Sequence, residues 1–390
     1  MACEQGKRED SAARRIAAFV AALSFGIGIG LISWLLLGVS YGILGLVWGP
    51  TLSLLEKPLF VFALCCVGGV AIAFWNSRFE SEPKPFTAVM AEVKAKGGYS
   101  MGPFIPGIVS FMLPVVFGGS IGVAAGLVGI VATCCTLSWS LLDRILCIAS
   151  LPKYGRAALK AFIAAGIAAA FVACTFAMGT PVPLPRFEIL PLFDGTYLLQ
   201  AVLLSAAGWA LSLLYIASTF FSKKSAATLA DKPWLRPVFC GVALGAVGVF
   251  LPFVLFPGPV QVSEIMDAWP ALPFFVLAAT AAAKVFFTAF CMNMGWMGGP
   301  FFPLILAGTC MGVAIASVSG IDPVLAAISV STALLGSSSR RPLASVLIML
   351  IVCPVQDVLY IAVAAFVGAA LPLPGVEKES KAPSCRKGDS

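Results

Sequence analysis

Apolar runs long enough to cross a bilayer alternate with short polar stretches from residue 16 to residue 371. A span needs about 20 apolar residues. Residues 16–47 predict one tilted or bent helix, with Gly26, Gly28 and Gly30 suited to close helix packing, and 58–75 predict a second span. Residues 78–96 are the most polar internal stretch and predict a loop followed by a short helix. Residues 103–142 are apolar but carry Pro106, Pro114 and a glycine cluster at 118–122, so they predict several short helices. A charged loop at 143–156, a span at 157–178 and a proline-rich connector at 179–194 close the first half.

The second half repeats the plan. Spans are predicted at 197–221, 238–256 and 272–290, separated by a charged loop at 222–237 and a loop at 257–270 with Glu264 and Asp267. Glycines between 295 and 299 break the last of these. Short helices follow at 302–318 and 323–335, then a polar turn at 336–341, and helices at 342–352 and 358–371. Each half begins with ordinary spans and ends with broken ones. Broken segments in corresponding positions of two halves predict an inverted repeat with both breaks near the bilayer midplane.

Composition sharpens this to a membrane protein. Hydrophobic residues make up 60% of the 390, charged residues 11%, and mean hydropathy is +0.99. Soluble domains carry about 25% charge. The length allows about 10–14 membrane segments, some of them short, and no sizeable domain outside the bilayer. Lys7, Arg8, Arg14 and Arg15 precede the first span, while Lys378, Lys381, Arg386 and Lys387 follow the last. The positive-inside rule then places both termini in the cytoplasm. The expected organisation is a tail at 1–15, a membrane domain at 16–371 in halves of about 16–190 and 197–371, and a tail at 372–390. Residues 1–13 lack a cleavable signal pattern. The net charge of +7 lies largely in these tails, which argues for contact with the bilayer surface and against nucleic acid. Twelve cysteines occur without a C-x-x-C pair, and histidine is absent. No metal, other cofactor or disulfide framework is expected, and the usual proton shuttle is missing.

The break at Gly298-Gly299-Pro300-Phe301-Phe302-Pro303 carries the most chemistry. A helix that starts inside the membrane leaves its first N–H groups free and its positive dipole end exposed, which makes an anion site from backbone alone. The bland alternative is a kink in a structural helix. The first-half break, Gly118-Gly119-Ser120-Ile121-Gly122, is either the opposing helix start or a small-residue packing surface. Lys284 lies in the apolar run 278–290, where it is either a pore residue or a helix-end charge. Arg340 and Arg341 follow a serine turn, as a charged pore mouth or as interfacial anchors.

The second half resembles the CLC family of chloride channels and chloride/proton exchangers. The family's G-x-F-x-P motif stands at Gly299-Pro300-Phe301-Phe302-Pro303, and the run from Leu334 through Arg340-Arg341-Pro342-Leu343 to Val346 is similar to the family's small-residue segment before a basic residue and Pro-Leu. Arg236-Pro237 before 241–248 is similar too, and 164–173 resembles the small-residue segment of the first half. The likeness covers about 15–370, specific in the second half and degenerate in the first.

What the resemblance implies is an all-α polytopic membrane protein with an inverted-repeat fold of broken, tilted helices, assembled as a homodimer with one pore per subunit. Transferred residue by residue, the anion site falls on Ser120, Ile121, Gly122, Phe301 and Phe302, shaped by Gly119, Gly299, Pro300 and Pro303. Ser81, Lys284, Arg340 and Arg341 are candidate pore or mouth residues, with Ser81 the one serine where the family's pore serine falls. The departures matter more. The family's gating glutamate falls on Ile121, the stretch 174–184 holds no acid where a proton-accepting glutamate belongs, and Pro300 removes one N–H from the motif. The last helix, with its pore tyrosine, and a C-terminal nucleotide-binding domain are not expected after 371–374. The expected function is passive permeation of chloride or a similar small anion in the plasma membrane. The alternatives are an anion/proton antiporter, a fluoride exporter of the same family, or a non-conducting scaffold. Catalysis is not expected.

Overall fold

The computed structural model describes residues 2–79, 84, 86–146, 152–182, 184–191 and 194–374. It is built from helices, with no strand among the described residues beyond one isolated bridge. The first half contains α1 (Ala2–Trp48), α2 (Pro58–Phe79), α3 (Phe86–Lys96), α4 (Phe104–Val116), α5 (Ala124–Leu146) and α6 (Lys153–Met178). The second contains α7 (Gly195–Thr228), α8 (Leu235–Gly248), α9 (Pro259–Ala268), α10 (Phe274–Asn293), α11 (Phe301–Ser319), α12 (Pro323–Ser339), α13 (Pro342–Met349) and α14 (Val358–Ala370). Seven helices are long and apolar enough to cross a membrane, and four shorter apolar ones accompany them among the described residues.

Glycine sets the closest helix contacts. On α1, Gly26 and Gly30 lie one turn apart and meet α6 at Ile163, Gly166 and Ile167; a Cβ on Gly30 would stand 2.5 Å from the Ile167 carbonyl oxygen. Gly28 faces open space and takes no part. In lipid, where apolar side chains gain nothing by leaving the solvent, such backbone approach supplies dispersion contact that larger residues would block. The same device presses α11 onto α12 through Gly308 and Gly312. One buried cluster centres on α11 and α12. A second joins the halves, running from Leu37, Trp48 and Ile121 to Cys240, Phe256 and Trp296.

Some predicted boundaries move. The span predicted at 238–256 stops at Gly248, and Pro252 opens a 3-10 turn, because proline cannot donate to the preceding helical turn. The loop predicted at 257–270 is instead mostly α9. Gly258 turns the chain at φ 111°, Pro259 takes the first helical position, and Gln261 Oε1 accepts the Gly258 N–H at 3.2 Å. The turn predicted at 336–341 is shorter, since α12 continues through its serines to Ser339. It ends at Arg340, left-handed at φ 56°, just ahead of Pro342.

Candidate functional site at the two helix breaks

The first break is made by termination of α4. Gly118 is left-handed at φ 79°, and the Gly119 N–H returns to the Pro114 carbonyl at 2.7 Å. A side chain at Gly118 would strike the indole of Trp48, whose Nε1–H donates to the Val116 carbonyl at 2.7 Å. The chain then tightens on itself, with the Ile121 N–H donating to the Gly119 carbonyl at 2.8 Å, and α5 begins at Ala124. The second break follows α10. Gly295 is left-handed at φ 85°, Trp296 is fully buried with its Nε1–H on the Pro237 carbonyl at 2.9 Å, and α11 starts at Phe301.

The two breaks meet. Gly122 and Gly299 exchange both backbone hydrogen bonds, at 2.6 and 2.7 Å, as one antiparallel bridge. Pro303, in the first turn of α11, lies against Gly122, where an added Cβ would stand 3.4 Å from Pro303 Cδ. Ile121 fills the space beside the bridge with no exposed surface, and a Cβ on Gly298 would stand 2.5 Å from Ile121 Cδ1. Mutual contact of two breaks that are far apart in sequence is the geometry a midplane site requires.

Donor availability is uneven across this site. The N–H groups of Ile121, Gly122 and Gly299 are consumed by Gly119, Gly299 and Gly122. Among the described residues, those of Ser120, Phe301 and Phe302 have no protein acceptor, and the fully buried Ser120 Oγ has no partner either. Pro300 sits at the N-cap of α11 and contributes no N–H. The free donors are therefore the Ser120 N–H and hydroxyl from the first break and the first turn of α11 from the second. Together with the α11 dipole they can hold a small anion without a cationic side chain.

Lys284 is fully buried on α10, and its ammonium donates to the carbonyls of Val254, Leu255 and Phe256 at 3.0, 2.7 and 2.6 Å. An ammonium has three donors, so all are occupied. Phe256 is held left-handed at φ 71°, and its own N–H donates to the Gly118 carbonyl at 3.0 Å. Lys284 thus reaches the first break through one loop, as a clamp on backbone. The Gly258 turn touches the other break, since a Cβ there would stand 2.9 Å from the Phe302 carbonyl oxygen.

Arg340 donates from Nη1 to the Ala369 and Leu371 carbonyls, both at 2.7 Å, and so closes the C-terminal end of α14. Arg341 is exposed beside it. Ser81 lies outside the described residues. Sequence reasoning did not single out Trp48, Phe256 or Trp296, which brace the breaks. The tryptophans were ordinary apolar positions in the pattern, and Pro252 and Gly258 were the available signals that 252–258 is not α-helical.

Residues 180–372 match the protein-family model described as voltage gated chloride channel. The chloride channel protein CLC-f of Arabidopsis thaliana is 27% identical over 154 residues, which are 38% of this chain and only 18% of that protein. Among solved structures, a slow cyanobacterial Cl⁻/H⁺ antiporter superposes with a TM-score of 0.72 at 14% identity, covering 90% of this chain and 93% of that one. A CLC-type fluoride/proton antiporter gives 0.68 at 15% identity over 91% and 94%. A eukaryotic CLC transporter gives 0.65 at 12% identity over 90% and 71%.

Proposed function

We propose, taking as premise that this chain is a divergent member of the CLC family, that it carries chloride or a similar small anion across the membrane passively, without obligatory proton exchange. Family and fold support the coarser statement, a multi-pass membrane protein of anion transport. The finer one rests on a single observation. At the bridged breaks the side chain beside the Gly122–Gly299 pairing is an isoleucine, Ile121, fully buried against Gly298. A carboxylate there could compete with an anion and carry a proton, whereas isoleucine can do neither. The stretch 174–184 also lacks an acid for the inner part of a proton route.

The test is chloride efflux from liposomes holding the purified chain, with potential clamped and pH recorded. Flux that saturates with chloride and moves no protons uphill is the expected result. Sustained uphill proton movement, abolished by a protonophore, would refute the uncoupled reading. The full burial of Ile121 favours one competitor, a scaffold whose passage is sealed; absence of any flux above empty liposomes would select it. The proposed assembly is a homodimer with both termini in the cytoplasm, in the plasma membrane. Mass photometry in mild detergent tests the dimer, and labelling of a terminal cysteine in intact cells tests the topology.

A further inference from the structure

The connection from α8 to α9, residues 249–258, belongs to neither break but touches both. Three of its carbonyls in succession turn to one side chain. The Lys284 ammonium takes those of Val254, Leu255 and Phe256, and no backbone N–H among the described residues donates to any of the three. Neighbouring carbonyls aimed at one point repel each other, and Phe256 is left-handed at φ 71°, a conformation unfavourable to a residue with a Cβ. Such backbone persists only where its surroundings hold it. Here the holder is a fully buried cation with all three donors engaged, which leaves none for a passing ion.

The held loop has two outward contacts. The Phe256 N–H is the backbone donor, among the described residues, to the Gly118 carbonyl at 3.0 Å. Two residues on, Gly258 lies so close to α11 that a Cβ there would stand 2.9 Å from the Phe302 carbonyl oxygen. Gly118 turns the chain toward Ser120, and Phe302 belongs to the first turn of α11, so the loop touches both segments that carry free donors. The breaks themselves are joined by the single Gly122–Gly299 pair. One pair of hydrogen bonds lets two segments pivot about it. The loop is a second strut, and Lys284 fixes it to α10, the helix that leads into the second break.

We propose that Lys284 is a positioning residue for the anion site: by fixing residues 254–256 it sets the orientation of the Ser120 turn against the first turn of α11. The consequence for anions rests on the passive-permeation reading. The coupling of the two breaks does not.

That coupling is read by hydrogen exchange on the full chain in detergent. Lys284→Met keeps an unbranched side chain and removes every donor. Amides of 118–122 and 298–303 should exchange at least about 10-fold faster, while those of 26–30 and 163–167, at the α1–α6 contact in a separate buried cluster, stay within about 2-fold. Lys284→Arg keeps the charge and the donors and should recover most of the difference, which a mere loss of packing would not explain. No acceleration at the breaks in Lys284→Met, or equal acceleration at 26–30, would overturn the assignment. If Lys284→Met does not fold, the wild type decides. With rising urea, 118–122, 252–258 and 298–303 should open as one unit, and opening of 252–258 while both breaks stay protected would overturn it. Calorimetric titration of bromide separates this inference from the functional one. The wild type should bind, and Lys284→Met should bind at least about 5-fold more weakly, because its donors are no longer preorganised. Equal affinity would overturn the positioning role. A wild type that binds no bromide would refute the functional reading instead, and exchange at the breaks would still decide the strut.

Discussion

Ile121→Ala isolates the step on which the proposed passive permeation depends. Ile121 has no exposed surface, lies against Gly298 and adjoins Gly122 of the bridge that joins the two breaks. The substitution removes three carbons. At about 0.8 kcal/mol each, their packing contributes up to about 2.4 kcal/mol to the barrier an anion meets there, or roughly 50-fold in rate. Any buried isoleucine cut to alanine also loses about 2–5 kcal/mol of stability. Ile130, on α5 in the same cluster and 1% exposed, supplies the control. Ile130→Ala should lose stability to a similar degree and leave flux per folded protein unchanged. The assay is chloride efflux under a clamped potential, normalised to folded protein by size-exclusion. A rise in flux well above parent for Ile121→Ala alone is expected. Equal flux in parent and Ile121→Ala, or equal rises in both variants, refutes the assignment of Ile121 to the path.

Ile121→Glu should introduce a pH-dependent block, since a carboxylate beside the α11 N-terminus competes with the anion until it is protonated; flux that matches the parent at both about pH 4.5 and about pH 7.5 would count against this. Gly298→Ala places a carbon 2.5 Å from Ile121 Cδ1 and 2.9 Å from the Gly122 carbonyl oxygen, so it should cost about 1–3 kcal/mol in denaturation, part of it recovered when combined with Ile121→Ala. Phe301→Ala keeps the backbone N–H, so titration of bromide should show binding retained, with flux altered. On α3, outside the spans, hydrogen bonds from Lys84 and Lys96 hold the Glu92 carboxyl down to about 2. That local support is present above the unfolded carboxylate value of about 4.3 and is lost as pH falls through about 2, so an NMR titration of Glu92 should not show a midpoint near 4.

The spans were legible because lipid leaves few choices: an apolar run must be helical, and glycine or proline must interrupt it. The breaks at 118–122 and 295–299 were found on that ground alone. Their mutual contact was not, because the Gly122–Gly299 bridge is a pairing of backbone groups with no side-chain signature. Lys284 stood out as a charge in an apolar run, but its three acceptors are carbonyls, which every residue carries, so sequence offered no means of choosing between pore and clamp. The helix α9 was missed because it is short and is flanked by Gly258 and Pro259, residues that read as loop whether they end a chain segment or start a helix. Serines at 337–339 suggested a turn, yet serine can remain in a helix by bonding its hydroxyl to the preceding turn, as Ser338 does to the Leu335 carbonyl.

Obligatory exchange of an anion for a proton needs one group that both can occupy, so that the arrival of one displaces the other. At the bridged breaks the side chains in place are Ser120 and Ile121, and neither titrates near neutral pH. Two acids have a buried, unpartnered oxygen among the described residues, Glu264 and Asp357. Asp357 Oδ1 accepts the Leu190 N–H at 3.0 Å, tying α14 to the connector between the halves. Glu264 accepts the Thr51 N–H at 3.3 Å and lines a cavity that Trp48 and Phe256 also line. A group that lies away from the place of the anion sets no fixed ratio of anions to protons, whatever it does to their rate. This is why rate and stoichiometry must be measured separately: a flux that varies with pH is compatible with the passive reading, and a constant exchange ratio is not.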